Sequence, residues 1–207
     1  MESKNDPPSV IANFPSASEL HLTIGPMFSG KTSALIHKAQ SFAHAKISFV
    51  IFSPSKSNRH EHPDDNISSH STLKHRAIYR DLLTGWNLDA LANPKKINVV
   101  LIDEAQFFPD LKGCTQQMLE AGLAVWVYAL NGDINLNIFP EIATLIPLAS
   151  SVITLTSMCQ CGKPAVAHRK TKGDPNQVVD VGGPEKYRVM CYSCWLLFSS
   201  VSTIPPV

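Results

Sequence analysis

A glycine-rich octapeptide near the N-terminus separates an apolar run from a segment with helical character. It has the spacing G-x-x-x-x-G-K-T and consists of Gly25, Pro26, Met27, Phe28, Ser29, Gly30, Lys31 and Thr32. Between a strand and a helix, such a loop turns backbone N–H groups toward phosphate oxygens, and the helix dipole favours an anion there. The lysine supplies charge for the outer phosphates, and the threonine hydroxyl can bind Mg²⁺. The pattern therefore predicts a polyphosphate site, which a chance glycine turn would not provide.

Short apolar segments alternate with helical patterns along the chain. Strands are expected at residues 19–24, 47–52, 97–102, 123–130 and 151–156, and helices at 31–45, 77–83, 110–121 and 140–146. Asp110 is expected to cap the third helix and Gly122 to end it, while the polar stretch 53–71 is expected to form a loop. Apolar strands that alternate with helices indicate a parallel sheet covered on both faces. The expected fold is α/β, a P-loop NTPase-type parallel sheet flanked by helices.

Two adjacent acids, Asp103 and Glu104, directly follow an apolar strand. Ligands bind at the carboxyl ends of the strands in parallel sheets, so these acids should lie beside the glycine loop. Asp103 is expected to hold Mg²⁺ together with Thr32, which leaves Glu104 free to accept a proton from an attacking hydroxyl. Alone, the two acids would fit a simple strand end. Next to the glycine loop they predict phosphoryl transfer.

Four of the five cysteines form two close pairs, Cys159 with Cys161 and Cys191 with Cys194. In an unsecreted protein such pairs indicate a zinc site and not disulfides. The first pair is C-x-C in place of C-x-x-C, a spacing that strains the turn. Three arrangements stay open: zinc on four cysteines, zinc on three cysteines and a histidine, and a metal-free hairpin. Cys114 stands apart and is expected to be a small buried hydrophobe.

The stretch between the cysteine pairs, residues 169–188, forms a loop closed at its base by the pairs. A metal-clamped loop of this length is suited to folding over a small substrate and presenting backbone groups to it. A solvated ribbon loop is the alternative.

Charge and hydropathy argue against some partners. Lys and Arg total 18 against 17 Asp and Glu, so no overall field attracts the chain to nucleic acid or to a membrane. No apolar run reaches the roughly 18–20 residues that a bilayer crossing requires. The first 18 residues are polar and lack the apolar region of a secretory signal, so a frayed tail is expected.

Several motifs, in this order, resemble those of the type II thymidine kinases, the cytosolic and viral kind. They are the octapeptide, residues 103–108 (DEAQFF), 129–132 (ALNG) and 182–187 (GGPEKY), followed by Cys191-x-x-Cys194. The match runs from about residue 19 to residue 198. The resemblance implies ATP-dependent phosphorylation of the 5′-hydroxyl of thymidine with Mg²⁺. It also implies a structural zinc ion in each subunit, a homotetramer, a cytoplasmic location and feedback by TTP.

The resemblance further implies roles for single residues. Those in catalysis would be Glu104, Lys31 and Arg59. Those at the nucleotide, besides the octapeptide, would be Ser57, Asn58, Arg59, Asp103 and Gln106. Those at the nucleoside would be Met27, Phe107, Ile134, His168, Val178, Val179, Asp180, Val181, Gly182 and Tyr187. Residues 178–182 and Tyr187 match the family's lasso, whose backbone reads the edge of the base.

Three positions depart from the family's pattern. Ser57 stands where an Asp is usual, Ile134 where a Phe is usual, and His168 where a small hydroxyl residue lies beside the thymine methyl group. An imidazole at that point could tighten the pocket or alter the choice of base. A diverged member with altered specificity, or with nucleotide binding but no efficient turnover, is therefore a second hypothesis. A third, a zinc-ribbon ATPase that binds nucleic acid, is disfavoured because the sequence has no basic stripe.

Four parts of the chain are expected. They are a flexible tail at residues 1–18, a P-loop kinase domain at 19–157, a zinc-ribbon and lasso domain at 158–198, and a C-terminal tail at 199–207.

Overall fold

A computed structural model describes residues 18–57, 66–68, 74–85, 97–171 and 182–201. The strands are β1 (Leu20–Gly25), β2 (Phe49–Pro54), β3 (Asn66–Ser68), β4 (Lys74–Arg76), β5 (Ile78–Arg80), β6 (Val99–Ile102), β7 (Ala124–Leu130), β8 (Ser151–Thr154), β9 (Ser157–Met158), β10 (Pro164–Ala165), β11 (Ala167–Lys170) and β12 (Tyr187–Met190). The helices are α1 (Lys31–His44), α2 (Leu111–Glu120), α3 (Pro140–Leu145) and α4 (Tyr192–Val201). Six strands form one sheet in the order β5-β2-β6-β7-β1-β8, and its five strand pairs are parallel.

Helices cover both faces of this sheet. Successive residues of β6 point to opposite faces, so Val99 and Leu101 pack with α1, while Val100 and Ile102 pack with α2 and α3. All four of these side chains are fully buried. Burial of each such side chain stabilises the fold by about 1.5–3 kcal/mol. The strands are continuously apolar because both faces of the sheet are covered, as expected from the sequence. The α/β fold class is confirmed.

The polar loops begin at one edge of the sheet. The ladder continues past the strand ends, because the Asp103 N–H donates to the Phe52 carbonyl oxygen (2.8 Å) and the Asn131 N–H donates to that of Gly25 (3.2 Å). The first residues after β6 and β7 consequently lie next to the ends of β2 and β1. This places the acids at the edge where the glycine loop starts.

The described residues from 157 to 201, which include the two cysteine pairs, form a smaller unit after β8, called the cysteine unit below. The hairpin β9–β10 and the antiparallel pair β11–β12 precede and flank α4. A small apolar cluster holds them together, with Cys159, Ala165, Met190 and Cys191 buried and Trp195 packed against them. Helix α4 continues to Val201. The proposed division of the chain into domains stays a prediction.

Two of the expected elements are wrong in part. Residues 77–83 do not form a helix; Ile78–Arg80 form strand β5 at the sheet edge, where they pair with Phe52–Pro54. The stretch 53–71 is not all loop, because β2 extends to Pro54, a 3-10 turn spans Ser55–Ser57, and Asn66–Ser68 pair with Lys74–Arg76.

Asp110 takes the position of the N-cap of α2, but its side chain does not cap that helix. Its carboxylate accepts hydrogen bonds from the N–H groups of Leu83 (3.1 Å) and Thr84 (2.7 Å) instead. The sequence offers no sign of this longer-range pairing. Gly122 ends the helix region as expected, with a φ of +80°.

None of the helices in the described segments is long and apolar enough to cross a membrane.

Candidate active site

The glycine loop connects β1 directly to α1 at the carboxyl edge of the sheet. Gly30, which precedes the helix, has a φ of +83° that favours glycine. Gly25 has no room for a side chain, since a Cβ would lie 2.7 Å from the Leu155 carbonyl oxygen and 2.7 Å from the Ser29 hydroxyl. Because α1 begins at Lys31, its free N–H groups and the positive end of its dipole face the loop. The loop is thus built to hold an anion.

Lys31 and Ser29 both fit a phosphate ligand. Lys31 is buried, and its ammonium donates to the carbonyl oxygens of Gly25 (3.1 Å) and Pro26 (2.7 Å). Burial lowers the pKa of Lys31, and the charge of Glu104 opposes that shift. The Ser29 hydroxyl oxygen is buried and has no hydrogen-bond partner among the described residues. A buried hydroxyl without a partner is costly, so a ligand oxygen at this point would stabilise the loop.

Thr32 and Asp103 meet across the site. The Thr32 hydroxyl donates to the Asp103 carboxylate, 3.1 Å from Oδ2 and 3.4 Å from Oδ1. Burial, together with the charge of Glu104, raises the pKa of Asp103 to about 7. A buried carboxylate beside a hydroxyl offers the hard oxygen ligands that Mg²⁺ prefers. These residues fit Mg²⁺, which would offset the cost of burying the carboxylate charge.

Glu104 lies next to these groups and is partly buried. Its Oε2 accepts a hydrogen bond of 2.6 Å from the side-chain amide of Gln106, whose oxygen accepts the N–H of Leu130 (3.0 Å). The charge of Glu104 acts on both Lys31 and Asp103. The fold therefore gathers a cation, the buried carboxylate of Asp103 and a second carboxylate at one point.

Three of the side chains expected at the nucleoside, those of Phe107, His168 and Tyr187, make contacts through their rings. The Lys56 ammonium lies 4.0 Å from the ring centroid of Phe107, over the ring face. His168 and Tyr187 are both buried, with ring centroids 6.0 Å apart in an edge-to-face arrangement. Burial and then the charge of Lys31 lower the pKa of His168 to about 4, so its imidazole is neutral near neutral pH.

Ile134 lies in a loop, residues 131–137, that follows β7 and forms hydrogen bonds with the cysteine unit. Asp133 shapes this loop by accepting the N–H groups of Asn135 and Asn137, each at 2.8 Å. The Asn131 amide donates to the Val166 carbonyl oxygen (2.8 Å), and the Trp195 indole N–H donates to the Ile134 carbonyl oxygen (3.3 Å). Sequence reasoning missed Lys56, Asp133 and Trp195. Only the position of Trp195 next to Cys194 could have drawn attention to it.

The four cysteine sulfurs of the cluster, from Cys159, Cys161, Cys191 and Cys194, all lie within 4.8 Å of one another. The sulfurs of Cys161 and Cys191 are 3.6 Å apart. Four sulfurs bound tetrahedrally to zinc at about 2.3 Å would be about 3.8 Å apart, so the donor set fits zinc. The C-x-C spacing does not keep Cys159 away. Cys114 does not belong to this cluster and is buried in α2, as expected of a small hydrophobe.

The thiol pKa values in this cluster diverge. Backbone hydrogen bonds lower the pKa of Cys159 to about 6, whereas hydrogen bonds among the thiols raise that of Cys194 to about 12. Four thiolates together therefore need a cation among them.

Some predicted site residues lie outside the described residues. They are Asn58, Arg59 and residues 178–181 of the lasso, together with the side chain of Ser57. Gly182, at the lasso's end, is described; a Cβ there would lie 2.6 Å from the Lys186 side chain. The roles assigned to single residues from the sequence stay predictions.

Comparisons with known proteins agree on one family. The family model described as thymidine kinase matches residues 18–195. The cytosolic thymidine kinase of Bos taurus is 32% identical over 203 residues, which cover 97% of this chain and 81% of that protein. The thymidine kinase of Fowlpox virus is 32% identical over 184 residues, or 87% of this chain and 98% of that protein. A structure of the genome packaging NTPase B204 from Sulfolobus turreted icosahedral virus 2, in complex with ATP-gammaS, aligns with a TM-score of 0.44 and 16% identity over 70% of this chain and 78% of that chain.

Proposed function

Because the chain belongs to the thymidine kinase family, we propose that it transfers the γ-phosphoryl group of ATP to the 5′-hydroxyl of thymidine. The products are thymidine monophosphate and ADP. The observation that carries the proposal is the meeting of Lys31, Thr32, Asp103 and Glu104 at the sheet edge where the glycine loop begins. Phosphoryl transfer requires mainly positioning and charge stabilisation, and these groups supply both.

The octapeptide holds the triphosphate. Its N–H groups and the Ser29 hydroxyl bind phosphate oxygens, and Lys31 exchanges the carbonyl oxygens of Gly25 and Pro26 for the outer phosphates. Thr32 and Asp103 would hold Mg²⁺, which would supply positive charge beside the phosphates. Arg59 and its neighbours at residues 57–58 are proposed to assist at the same phosphates.

Glu104 is the proposed general base. As the thymidine 5′-oxygen bonds to the γ-phosphorus, the carboxylate takes the hydroxyl proton. The bond from that phosphorus to the bridging oxygen breaks, and ADP leaves with the electron pair. A positioned base contributes about 10²–10⁴ in rate. Support comes from the side chain's position beside Lys31 and Asp103.

The nucleoside is proposed to lie against Met27, Phe107, Ile134, His168 and Tyr187, beneath the lasso. Two of these side chains, His168 and Tyr187, are buried next to one another, and the neutral imidazole carries one donor and one acceptor. TTP is proposed as a feedback inhibitor that occupies this site.

Zinc on the four cysteines is proposed as a structural ion. When bound, it would fix the ends of β9, β10 and β12 and the start of α4. A homotetramer and a cytoplasmic location are proposed from the resemblance, and the bovine relative's name includes the word cytosolic.

A nucleoside panel tests the proposal. The purified chain is incubated with ATP and Mg²⁺ and with thymidine, deoxyuridine or deoxycytidine, and both products are quantified. We expect equal amounts of thymidine monophosphate and ADP with thymidine. Turnover of another nucleoside in place of thymidine would indicate altered specificity. Tight thymidine or TTP binding without turnover would support the alternative of a member that binds nucleotide but does not transfer phosphate.

A further inference from the structure

The side-chain amide of Gln106 joins the end of β7 to Glu104. Its oxygen accepts the Leu130 N–H at 3.0 Å, and its nitrogen lies 2.6 Å from Oε2 of Glu104. A backbone N–H can only donate, so the amide oxygen has to face Leu130 and the NH₂ group has to face the carboxylate. Gln106 is buried, and its hydrogen bond with the Leu130 N–H is shielded from water. The orientation of this amide is therefore fixed by the sheet.

The backbone conformation of Glu104 is also constrained. Glu104 has φ 45° and ψ 43°, a left-handed conformation that costs a residue other than glycine about 1–2 kcal/mol. The neighbours Ala105 and Phe108 are fully buried and keep this turn in place. The Glu104 side chain that extends from this turn is partly buried, and its charge acts on Lys31 and Asp103.

Among the described residues, one of the two carboxylate oxygens of Glu104 accepts a hydrogen bond. Oε2 accepts the Gln106 NH₂, while Oε1 has no hydrogen-bond partner among the described residues. An oxygen left open on a carboxylate whose rotation is prevented is the arrangement that a proton acceptor needs.

We propose that Gln106 is a positioning residue for the general base: it ties Glu104 to β7 and leaves Oε1 to receive the substrate hydroxyl proton. This inference rests on the proposed function, in which Glu104 is the base. It gives Gln106 a role different from the nucleotide contact expected from the resemblance. The amide acts through Glu104 and takes no proton itself.

Two substitutions separate positioning from support of the fold. Gln106→Leu removes both hydrogen bonds. Gln106→Glu keeps an oxygen for the Leu130 N–H and replaces the neutral amide donor with an acid that competes with Glu104 for a proton. We expect both variants to lower kcat about 10- to 100-fold, with the KM for ATP and thymidine changed less than about threefold. The control is Gln116→Glu, the same change at an exposed position of α2, and it should match wild type.

The outcomes distinguish the possible roles. A purely structural role predicts near-normal kcat in Gln106→Glu together with loss of thermal stability in Gln106→Leu, and this result would overturn the proposal. A rise in KM for ATP at unchanged kcat would show a nucleotide contact and would also overturn it. Circular dichroism and the thermal midpoint of each variant verify that it is folded.

A double-mutant cycle tests whether Gln106 acts through Glu104. If it does, adding Gln106→Leu to Glu104→Gln lowers kcat less than about twofold further. Multiplied losses in the double variant would refute the positioning role while leaving the kinase assignment intact. If Glu104→Gln alone has no effect, the proposed function of Glu104 fails first.

Discussion

The indole N–H of Trp195 donates a hydrogen bond to the carbonyl oxygen of Ile134, 3.3 Å away. Trp195 directly follows Cys194 of the sulfur cluster, and Ile134 lies in the loop that leaves β7 at the candidate active site. In a second hydrogen bond, the Asn131 amide of the same loop donates to the Val166 carbonyl oxygen (2.8 Å). Among the described residues, these two hydrogen bonds connect the cysteine unit to the loop that follows β7.

Removing the indole donor should loosen that connection. Trp195→Phe keeps an aromatic ring beside Tyr192 and Arg169, although a smaller one, and removes the hydrogen bond to Ile134. We expect the KM for thymidine to rise about three- to tenfold, as fits the loss of one hydrogen bond of about 1 kcal/mol, with the KM for ATP unchanged. Steady-state kinetics with each substrate varied provides the measurement. Tyr192→Phe, at an exposed aromatic of the same helix, serves as control.

Loss of one sulfur should release the metal. Cys161→Ser leaves three sulfurs of the cluster, and we expect metal analysis to fall from about one zinc per chain to well below one half. The thermal midpoint should drop, and the KM for thymidine should rise through the connection at Trp195. Cys114→Ser in α2 should keep full zinc content. Equal zinc in both variants, or none in wild type, would be inconsistent with the site.

Asp103 should make the metal-free protein less stable as pH rises. Its pKa is about 7 in the folded chain because of burial, against 3.8 ordinarily. As pH rises, the unfolded chain loses the Asp103 proton at a lower pH than the folded chain does. The free energy of unfolding therefore decreases between about pH 4 and pH 7. Asp103→Asn has no carboxyl group at this position and lacks this loss. We therefore compare the free energies of unfolding of the metal-free variant and the metal-free wild type. Between pH 4 and a pH above 7, the difference should shift in favour of the variant by on the order of 2–4 kcal/mol.

Urea denaturation in the presence of a chelator, at pH 4.5 and 7.5, provides the test. Asp81→Asn, at an exposed acid, is the control and should show no such trend. The stabilised Asp103→Asn should nonetheless be nearly inactive. A pH-independent difference between it and wild type would contradict the assigned burial.

His168 should have the opposite effect. Burial lowers its pKa to about 4 from 6.5, so below pH 6.5 the unfolded chain takes up a proton that the folded chain refuses. The free energy of unfolding therefore decreases as pH falls from 6.5 to 4. Between pH 7.5 and 5 we expect His168 to cost about 2 kcal/mol, and His168→Gln to abolish that cost.

The effects of His168 and Asp103 overlap in pH and oppose each other, so each has to be measured as a difference between wild type and its own variant. His37→Gln, at an exposed position of α1, is the matched histidine control. If the wild type and His168→Gln lose stability equally on acidification, the imidazole is not buried as the structure indicates.

The sheet and the phosphate loop were predictable because local pattern and tertiary environment agree there. Strands β6 and β7 are apolar and buried on both sides, and β1 alternates Leu and Ile with His21 and Thr23. The spacing around Gly30 and Lys31 has few alternative meanings. Residues 77–83 were not predictable in this way. Ile78–Arg80 pair with β2 at the sheet edge, and tertiary pairing overrides a weak helical pattern.

Contacts between residues distant in sequence explain the other omissions. The carboxylate of Asp110 bonds to Leu83 and Thr84, and the Trp195 indole reaches Ile134, with no periodicity that would reveal either. The hydrogen bond between the Leu130 N–H and Gln106 depends on where β7 ends in space, which the sequence does not show. The spacing of Cys159 argued for strain, yet the hairpin turn brings its sulfur to the other three.

The rate of thymidine monophosphate formation in wild type and in Glu104→Gln tests the central claim most directly. ATP binding is measured in parallel, and Glu120→Gln, at the exposed end of α2, controls for loss of one carboxylate. We expect Glu104→Gln to bind ATP normally and to form product about 10²–10⁴ times more slowly, with Glu120→Gln at the wild-type rate. Equal rates in wild type and Glu104→Gln would contradict the account.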